Sequence, residues 1–460
     1  GKTRAVDPIS DGKYTILAFD PTTHDLQGKL KGSVTGGVFT PDAGQKLLLD
    51  PGTYDFTCFS EPVEYDEPNN RLVVNNWLTK SPTIGHVQAT IAGDDYEVVF
   101  NMEHKAIRVR FKITSDILSE NTPIDAYLEG SVFGPWYWVH DWYTAYSGVL
   151  NNTGNGDFGG GSLNFNTVAP VTTQAGTTYT SDYVYMLQGG SSHDNLSTYA
   201  IYFNAGTIGG APLAGKTVGL DVPSQWTTNQ SITINVNVKG QLYLFEDGKA
   251  RVLAGKGTHT PIGVVLQQKW EPTNQKGMAI ALKDVSNVTV AYTTPYNAAK
   301  MNTQHNTTHY TDANDAVNDM EGYKWTYEPA GSVDGRIKAN FSSDYTPFYQ
   351  AANYNPGVMV TGANVGKWYV PAFGEWALSW KVLGQWDGNI PSGGMLTMSV
   401  ATMNNIFTAA NGEALKTNQY WNSTEYEGMM IPVLYVGTTF GIGLNATHNI
   451  TGYVRPFVHF

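Results

Sequence analysis

Along HKAIRVRFKITS (104–115), apolar and polar side chains alternate: Ile107, Val109, Phe111 and Ile113 against Arg108, Arg110, Lys112 and Thr114. A period of two sends one set into a core and the other into water, which predicts a half-buried antiparallel strand. The pattern returns in QSITINVNVKG (230–240), where Ile232, Ile234, Val236 and Val238 alternate with Thr233, Asn235, Asn237 and Lys239. Upstream, KYTILAFD (13–20) and KLLLDPGTYDFTCFS (46–60) are apolar runs broken by turn signals, Asp50-Pro51-Gly52 being the clearest. The polar stretch SDILSENTP (115–123) reads as a linker. Two segments of similar length, each finishing on an alternating strand, predict tandem β-sandwiches over residues 1–115 and 116–240. GNGDFGGGS (154–162) reads as a loop, because no Lys-Ser/Thr and helix follow it to cradle a phosphate.

From residue 241 onward the pattern changes. Short apolar runs (LYLFEDGKARV, THTPIGVVLQQ, GMAIALKDV) give way to helix-compatible stretches in TDANDAVNDMEGYKW (311–325) and PAFGEWALSWKVLGQW (371–386). In the second, Pro371 suits a first helical turn, and Trp376, Trp380 and Leu383 fall on one face at spacings of four and three. Strands follow in YWNSTE, MIPVLYV and TGYVRPFVHF. A mixed α+β domain over 241–460 is predicted, and a chain of 460 residues has room for about three domains.

Composition narrows the class. Charged residues make up only 15 % of the chain, with polarity supplied by Asn, Thr, Ser, Gly and Tyr, as in β-rich exported proteins. A net charge of −12, from 28 basic and 40 acidic residues, argues against nucleic acid as a partner. The single cysteine, Cys58, excludes an intramolecular disulfide and a multi-Cys zinc site, and its strand-like setting reads as a buried thiol. No stretch approaches the roughly 20 apolar residues of a membrane-spanning helix. GKTRAVDP at the start lacks an apolar run and reads as the beginning of a mature chain.

The first two segments resemble the bacterial fimbrillin family, the type V pilins, in DPGTYDFTCFS, FNMEHKAIRVRFKI and WTTNQSITINVNVKG. The resemblance implies two transthyretin-like β-sandwiches, export as a lipoprotein precursor, and assembly with other pilus subunits by donor-strand exchange. In that family a protease removes a segment after an Arg and opens a groove for a neighbour's strand; Arg4 in KTRAV is the matching position. The third segment resembles the C-type-lectin-like domain at the C-termini of bacterial surface proteins, in PIGVVL, GMAIALKD, WYVPAFGEWALSW, YWNSTEYEG and YVRPFVHF. There the Tyr-Trp-x-Ser-Thr-Glu stretch is scaffold, which implies structural roles for Tyr420, Trp421, Ser423 and Thr424. The expected fold is mainly β: two tandem transthyretin-like β-sandwich domains followed by an α+β C-type-lectin-like domain.

Calcium-dependent sugar binding in C-type lectins uses a Trp-Asn-Asp strand, and calcium takes about six to eight oxygen ligands. Here the strand reads Trp421-Asn422-Ser423, and the EPNN motif lies far away at 67–70, so neither a metal nor a cofactor is expected. Asp387, Glu425 and Glu427 are acids that a glycosidase would need to converge in a cleft, but surface charge accounts for them equally and no enzyme is expected. His305 and His309 in HNTTH would share a zinc only on a helix, which two Thr and an Asn disfavour. The Asn-x-Ser/Thr triplets, Asn306 and Asn422 among them, read as composition. Trp386, Asp387, Asn389, Asn422, Glu425 and Glu427 form the candidate ligand-binding set. Trp136, Trp138, Trp142 and Tyr143 form a second aromatic patch. Flat aromatic faces beside Asn and Asp suit sugar rings, and they equally suit packing.

These readings together give a pilus accessory or tip subunit on the bacterial surface, with a lectin-like adhesive head for a host glycan or protein ligand. YVRPFVHF is expected to close the head's own sheet, leaving no strand to donate and placing the subunit at a filament end. The alternative is an outer-membrane glycan-binding lipoprotein beside a polysaccharide importer, with complete sandwiches as spacers.

Overall fold

Phe56, Thr57, Cys58 and Phe59 are buried in succession, a run that suits a strand covered on both faces. In the computed structural model they belong to β4 (Gly52–Ser60), inside a six-stranded antiparallel sheet. Its order is β3 (Val38–Pro41), β2 (Leu26–Thr35), β1 (Gly12–Phe19), β4, β7 (Thr83–Ile91) and β8 (Glu103–His104). The structure describes residues 9–75, 80–93, 96–130, 140–153, 161–187, 199–220, 229–295, 305–390, 395–396, 398–426, 433–436, 440–443 and 451–460.

One face of this sheet carries Leu17, Phe19 and Phe59. They pack with Leu72, Val74 and Tyr143 of a second sheet made of β5 (Val63–Asp66), β6 (Arg71–Asn75), β11 (His140–Thr144) and β12 (Leu150–Thr153). The other face carries Tyr14, Val34 and Cys58 under Phe100 and Met102. Burial pushes the Cys58 thiol up to about 12, so almost no thiolate exists near neutral pH. The native chain is therefore expected to ignore a thiol reagent that labels it promptly once unfolded in guanidinium. Prompt labelling of the native chain would show that this face opens.

The alternating strand is β9 (Ala106–Ser115), with Ile107, Val109, Phe111 and Ile113 fully buried. Its partners all come from later in the chain: β15 (Gly176–Thr180) and β16 (Val184–Leu187) antiparallel, and β20 (Ser231–Val238) parallel. β14 (Val171–Thr173) extends this sheet beyond β15. The parallel register runs from Arg108↔Ser231 to Ser115↔Val238, with Arg108 Nε donating to Ser231 Oγ (3.0 Å) and Arg110 Nε to Thr233 Oγ1 (3.1 Å). A further sheet orders β13 (Gly161–Asn164), β10 (Thr122–Gly130) and β17 (Tyr199–Ile208), and β17 also pairs with β19 (Thr217–Gly219). These sheets belong to one compact unit, made of the chain up to Asp116, Thr122–Thr207 and Leu213–Val238.

A second unit comprises Ile117–Asn121, Ile208–Pro212 with β18 (Ala211–Pro212), and Lys239–Phe460. Its main sheet is antiparallel, in the order β22 (Ala250–Val252), β21 (Leu242–Phe245), β23 (Pro261–Gln267), β24 (Met278–Ala281) and β31 (Phe457–His459). β25 (Val290–Ala291) pairs with β30 (Thr451–Gly452). Another sheet runs β26 (Met395–Leu396), β29 (Phe440–Gly443), β28 (Val433–Val436), β27 (Gln419–Trp421). Among the described residues five α-helices join them: α1 (Ala313–Ala316), α2 (Gly322–Tyr327), α3 (Thr346–Ala352), α4 (Phe373–Leu383) and α5 (Val400–Ala409).

The stretch 311–325 does not form one helix. Asp319 accepts the Glu321 amide (3.0 Å) and the Trp325 indole, and such local side-chain bonds compete with helix continuation. α4 begins later than Pro371 suggests: Ala372 is extended, and Glu375 reaches back to accept the Ala372 amide (2.7 Å), satisfying a donor at the helix start. Trp376, Trp380 and Leu383 do share a face, and it enters a core with Tyr243, Phe245 and Phe457. The described chain is thus mainly β, in several antiparallel sheets, with helices in the second unit.

Candidate functional site

From Tyr420 to Glu425 no side chain exposes more than 2 % of its surface. β27 ends at Trp421, and the chain then threads the interior with most of its polar groups paired, Ser423 Oγ and Glu425 Oε1 excepted among the described residues. Tyr420 donates to Asp284 Oδ2 (3.1 Å) and Trp421 Nε1 to the Val290 carbonyl (2.8 Å). Asn422 Oδ1 accepts the Thr424 amide (3.0 Å), and the Ser423 amide donates to the Pro371 carbonyl (2.8 Å). Thr424 Oγ1 accepts the Phe373 amide (2.8 Å) and donates to Asp319 Oδ2 (2.7 Å). The stretch ties the start of α4 to the interior of the second unit.

The candidate ligand set divides between two environments. Trp386 is largely buried, edge-on to Trp380 at 5.7 Å, with Nε1 donating to the Asn389 carbonyl (3.0 Å). Asp387 and Asn389 are exposed in a tight turn in which Asp387 Oδ1 accepts the Asn389 amide (2.9 Å). Gly388 between them has φ +88°, a conformation that favours glycine. Asn422 and Glu425 lie inside the unit, while Asp387 faces water. Glu427, Arg4, Trp136 and Trp138 lie outside the described residues. Trp142 occupies β11 opposite Val73, and Tyr143 is buried in the first unit's core.

Buried charges concentrate in the second unit. Arg455 Nε donates to Asp284 Oδ1 (2.5 Å), both side chains fully buried, and its Nη1 donates to the carbonyls of Ala281, Leu282 and Glu413. Lys416 Nζ lies 3.1 Å from the other Asp284 oxygen. Burial drives the Glu375 carboxyl well above its ordinary 4.5, against hydrogen bonds from the Ala372 amide and the Tyr369 hydroxyl (2.9 Å). Burial likewise pulls His459, 3.1 Å from that hydroxyl, down to about 4.

Glu246, Asp247 and His259 place ligand atoms within 4.8 Å of one another. Each carboxylate is already engaged, however. Arg251 holds both oxygens of Asp247 (3.0 and 2.7 Å), and Glu246 takes the His259 ring (2.9 Å) and the Thr260 amide (2.7 Å). The geometry is that of an ion-pair network. His305 and His309 do not share a helix: His309 is exposed, whereas His305 Nδ1 lies 3.7 Å from Glu425 Oε2. That carboxylate raises the His305 pKa above its ordinary value.

Two further features belong to the first unit. β7 pairs with β4 along its length on one side, but on the other β8 meets only Thr83 and Ile84. Among the described residues no strand pairs with the outer edge of Gly85–Ile91. An open cleft of about 590 Å³ lies beside Ile9, Ser10 and Asp11, walled by Gly36, Gly37, Arg108 and Tyr185. The Arg108 guanidinium stacks 4.7 Å from the Tyr183 ring centre. Neither feature has a signal in local composition, because each depends on which strands pair.

No protein family profile matches the chain, and no curated protein does. Among solved structures, a fimbrial protein from Bacteroides ovatus is 12 % identical over 99 % of this chain and 95 % of its own, with a TM-score of 0.32. A candidate cell adhesion protein from Bacteroides uniformis is 14 % identical over 53 % of this chain and 90 % of its own (TM-score 0.34). The fimbrial anchor protein Mfa2 from Porphyromonas gingivalis is 11 % identical over 53 % and 87 % (TM-score 0.26).

Sequence reasoning missed the interior of the second unit. Arg455 and Glu375 each stand alone among apolar and aromatic neighbours in sequence, and that isolation was the available signal; Lys338, two residues after Arg336, carried none.

Proposed function

We propose that the chain is a bacterial cell-surface pilus subunit, accessory or tip, whose first unit joins neighbouring subunits and whose second unit is an adhesive head. The first unit corresponds in this reading to paired transthyretin-like sandwiches, and the second to a C-type-lectin-like domain. The edge of β7 carries the proposal: among the described residues no strand pairs with the outer edge of Gly85–Ile91, a stretch that a neighbour's donor strand would complete. Processing after Arg4 would expose further pairing surface. Export as a lipoprotein fits the low charge load.

The head reading rests on exposed polar loops over an aromatic core, with Asp387 and Asn389 presented at a turn. No reaction on an external substrate is proposed, since Asp387 is solvated and Glu425 is enclosed. Immunogold labelling of intact cells with an antibody against residues 241–460 tests the assignment. Gold at filament ends is the expected result. Gold spread along filaments would make this a stalk component. Label confined to the cell body would overturn the pilus reading in favour of a glycan-binding lipoprotein.

A further inference from the structure

Lys338 is 1 % exposed, yet among the described residues it makes no ion pair within salt-bridge distance. Among the described residues its Nζ donates to a single acceptor, Asn306 Oδ1. The rest of its surroundings are aromatic: Nζ lies 5.0 Å from the Phe348 ring centre and 5.7 Å from that of Tyr345. An ammonium so enclosed, with one neutral acceptor, is a costly way to use a lysine. Burial accordingly pulls its pKa down to about 8, which leaves a fraction of the amine neutral and nucleophilic.

The partner is held for attack. Asn306 is also buried, and its amide is oriented at both ends. Nδ2 donates to the Ser423 carbonyl (2.7 Å), while Oδ1 faces Lys338. The same stretch carries Glu425, whose backbone carbonyl accepts the Tyr310 amide (2.9 Å) and whose carboxyl lies beside residue 305. Glu425 Oε1 is buried with no hydrogen-bond partner among the described residues. A primary amine and a carboxamide thus meet in one buried, aromatic-walled site, and the Glu425 carboxyl, with Oε1 unpaired among the described residues, lies near enough to act on the Lys338 charge, the set needed for amide exchange.

We propose that Lys338 and Asn306 are joined in the folded chain by an intramolecular isopeptide bond, with Glu425 carrying the proton. The neutral Lys338 Nζ adds to Cγ of Asn306 as the Glu425 carboxylate accepts the proton that Nζ loses. The proton lost by Nζ passes through Glu425 to Nδ2, the Cγ–Nδ2 bond breaks, and ammonia leaves. One C–N bond forms and one breaks, so neither oxidant nor reductant is needed. The product replaces a buried ammonium with a neutral amide and closes a loop between positions 32 apart in the sequence. Burial of Asn306 also removes it as a glycan acceptor, despite its Asn-Thr-Thr context. This inference stands apart from the pilus reading and survives its failure.

Intact-mass spectrometry of the full folded chain tests it. The expected mass is lower than the sequence mass by one ammonia, and digestion is expected to release a branched peptide joining the segments around Asn306 and Lys338. Trypsin should then fail to cut after Lys338. Lys338→Met should restore the full mass apart from the substitution, and so should Glu425→Gln in a chain that retains its native circular dichroism. A wild-type chain at full mass with linear peptides overturns the proposal. So does ammonia loss confined to one linear peptide, as a succinimide would leave. Ammonia loss persisting in Glu425→Gln overturns the role given to Glu425.

Discussion

Replacing Arg455 with methionine is expected to destabilise the second unit by about 3–5 kcal/mol, the usual cost of breaking a buried ion pair by removing one partner. Burial disfavours the Arg455 charge, and Asp284 and Tyr420 more than offset that penalty. Methionine fills much of the volume but takes the guanidinium away from Asp284 and from the carbonyls of Ala281, Leu282 and Glu413, of which Leu282 keeps the Glu413 amide. Lys416 and the Tyr420 hydroxyl still reach Asp284 Oδ2, so the carboxylate is not wholly abandoned. The double variant Arg455→Met/Asp284→Leu should recover part of the loss, because it removes the orphaned charge. Guanidinium unfolding followed by intrinsic fluorescence measures both. A loss under about 1 kcal/mol, the range of an exposed pair, would mean that water reaches this site.

Trp376→Ala is expected to cost a similar amount, about 3–5 kcal/mol, for a different reason. The Trp376 ring lies 5.6 Å from the Tyr420 ring and 5.4 Å from the Phe457 ring, and its Nε1 donates to the Trp421 carbonyl (3.3 Å). Truncation opens a cavity between α4, β27 and β31 and leaves that carbonyl unpaired. Trp376→Phe keeps most of the volume and loses the hydrogen bond, so it should cost distinctly less. Equal losses from the two variants, read in the same unfolding experiment, would show that the hydrogen bond rather than the cavity dominates.

What the sequence disclosed follows from what periodicity can carry. β9 was legible because alternation reports a strand with one wet face, and α4 because Trp376, Trp380 and Leu383 repeat on a helical stripe. Tyr420, Trp421, Ser423 and Thr424, read from the sequence as structural, are buried. Pairing was not legible. Nothing in the residues of β9 says that its partners are β15, β16 and a parallel β20, since partner choice is settled by tertiary packing. The polar interior was the other loss. Asn422 and Glu425 look like surface residues in composition, and only their placement among buried aromatics shows otherwise. Asn306 and Lys338 sit in irregular backbone and a 3₁₀ turn, where no period exists to link them.

The parallel pairing of β9 with β20 has a mechanical consequence. A pull that enters along the chain at Ala106 and leaves at Val238 draws these two strands in opposite directions along their shared length. All eight register pairs, Arg108↔Ser231 through Ser115↔Val238, are then loaded together. They must fail at once in shear rather than one at a time as a hairpin unzips. Resistance to tension is governed by the rate of that single event. This geometry resists force along the chain without any change in equilibrium stability.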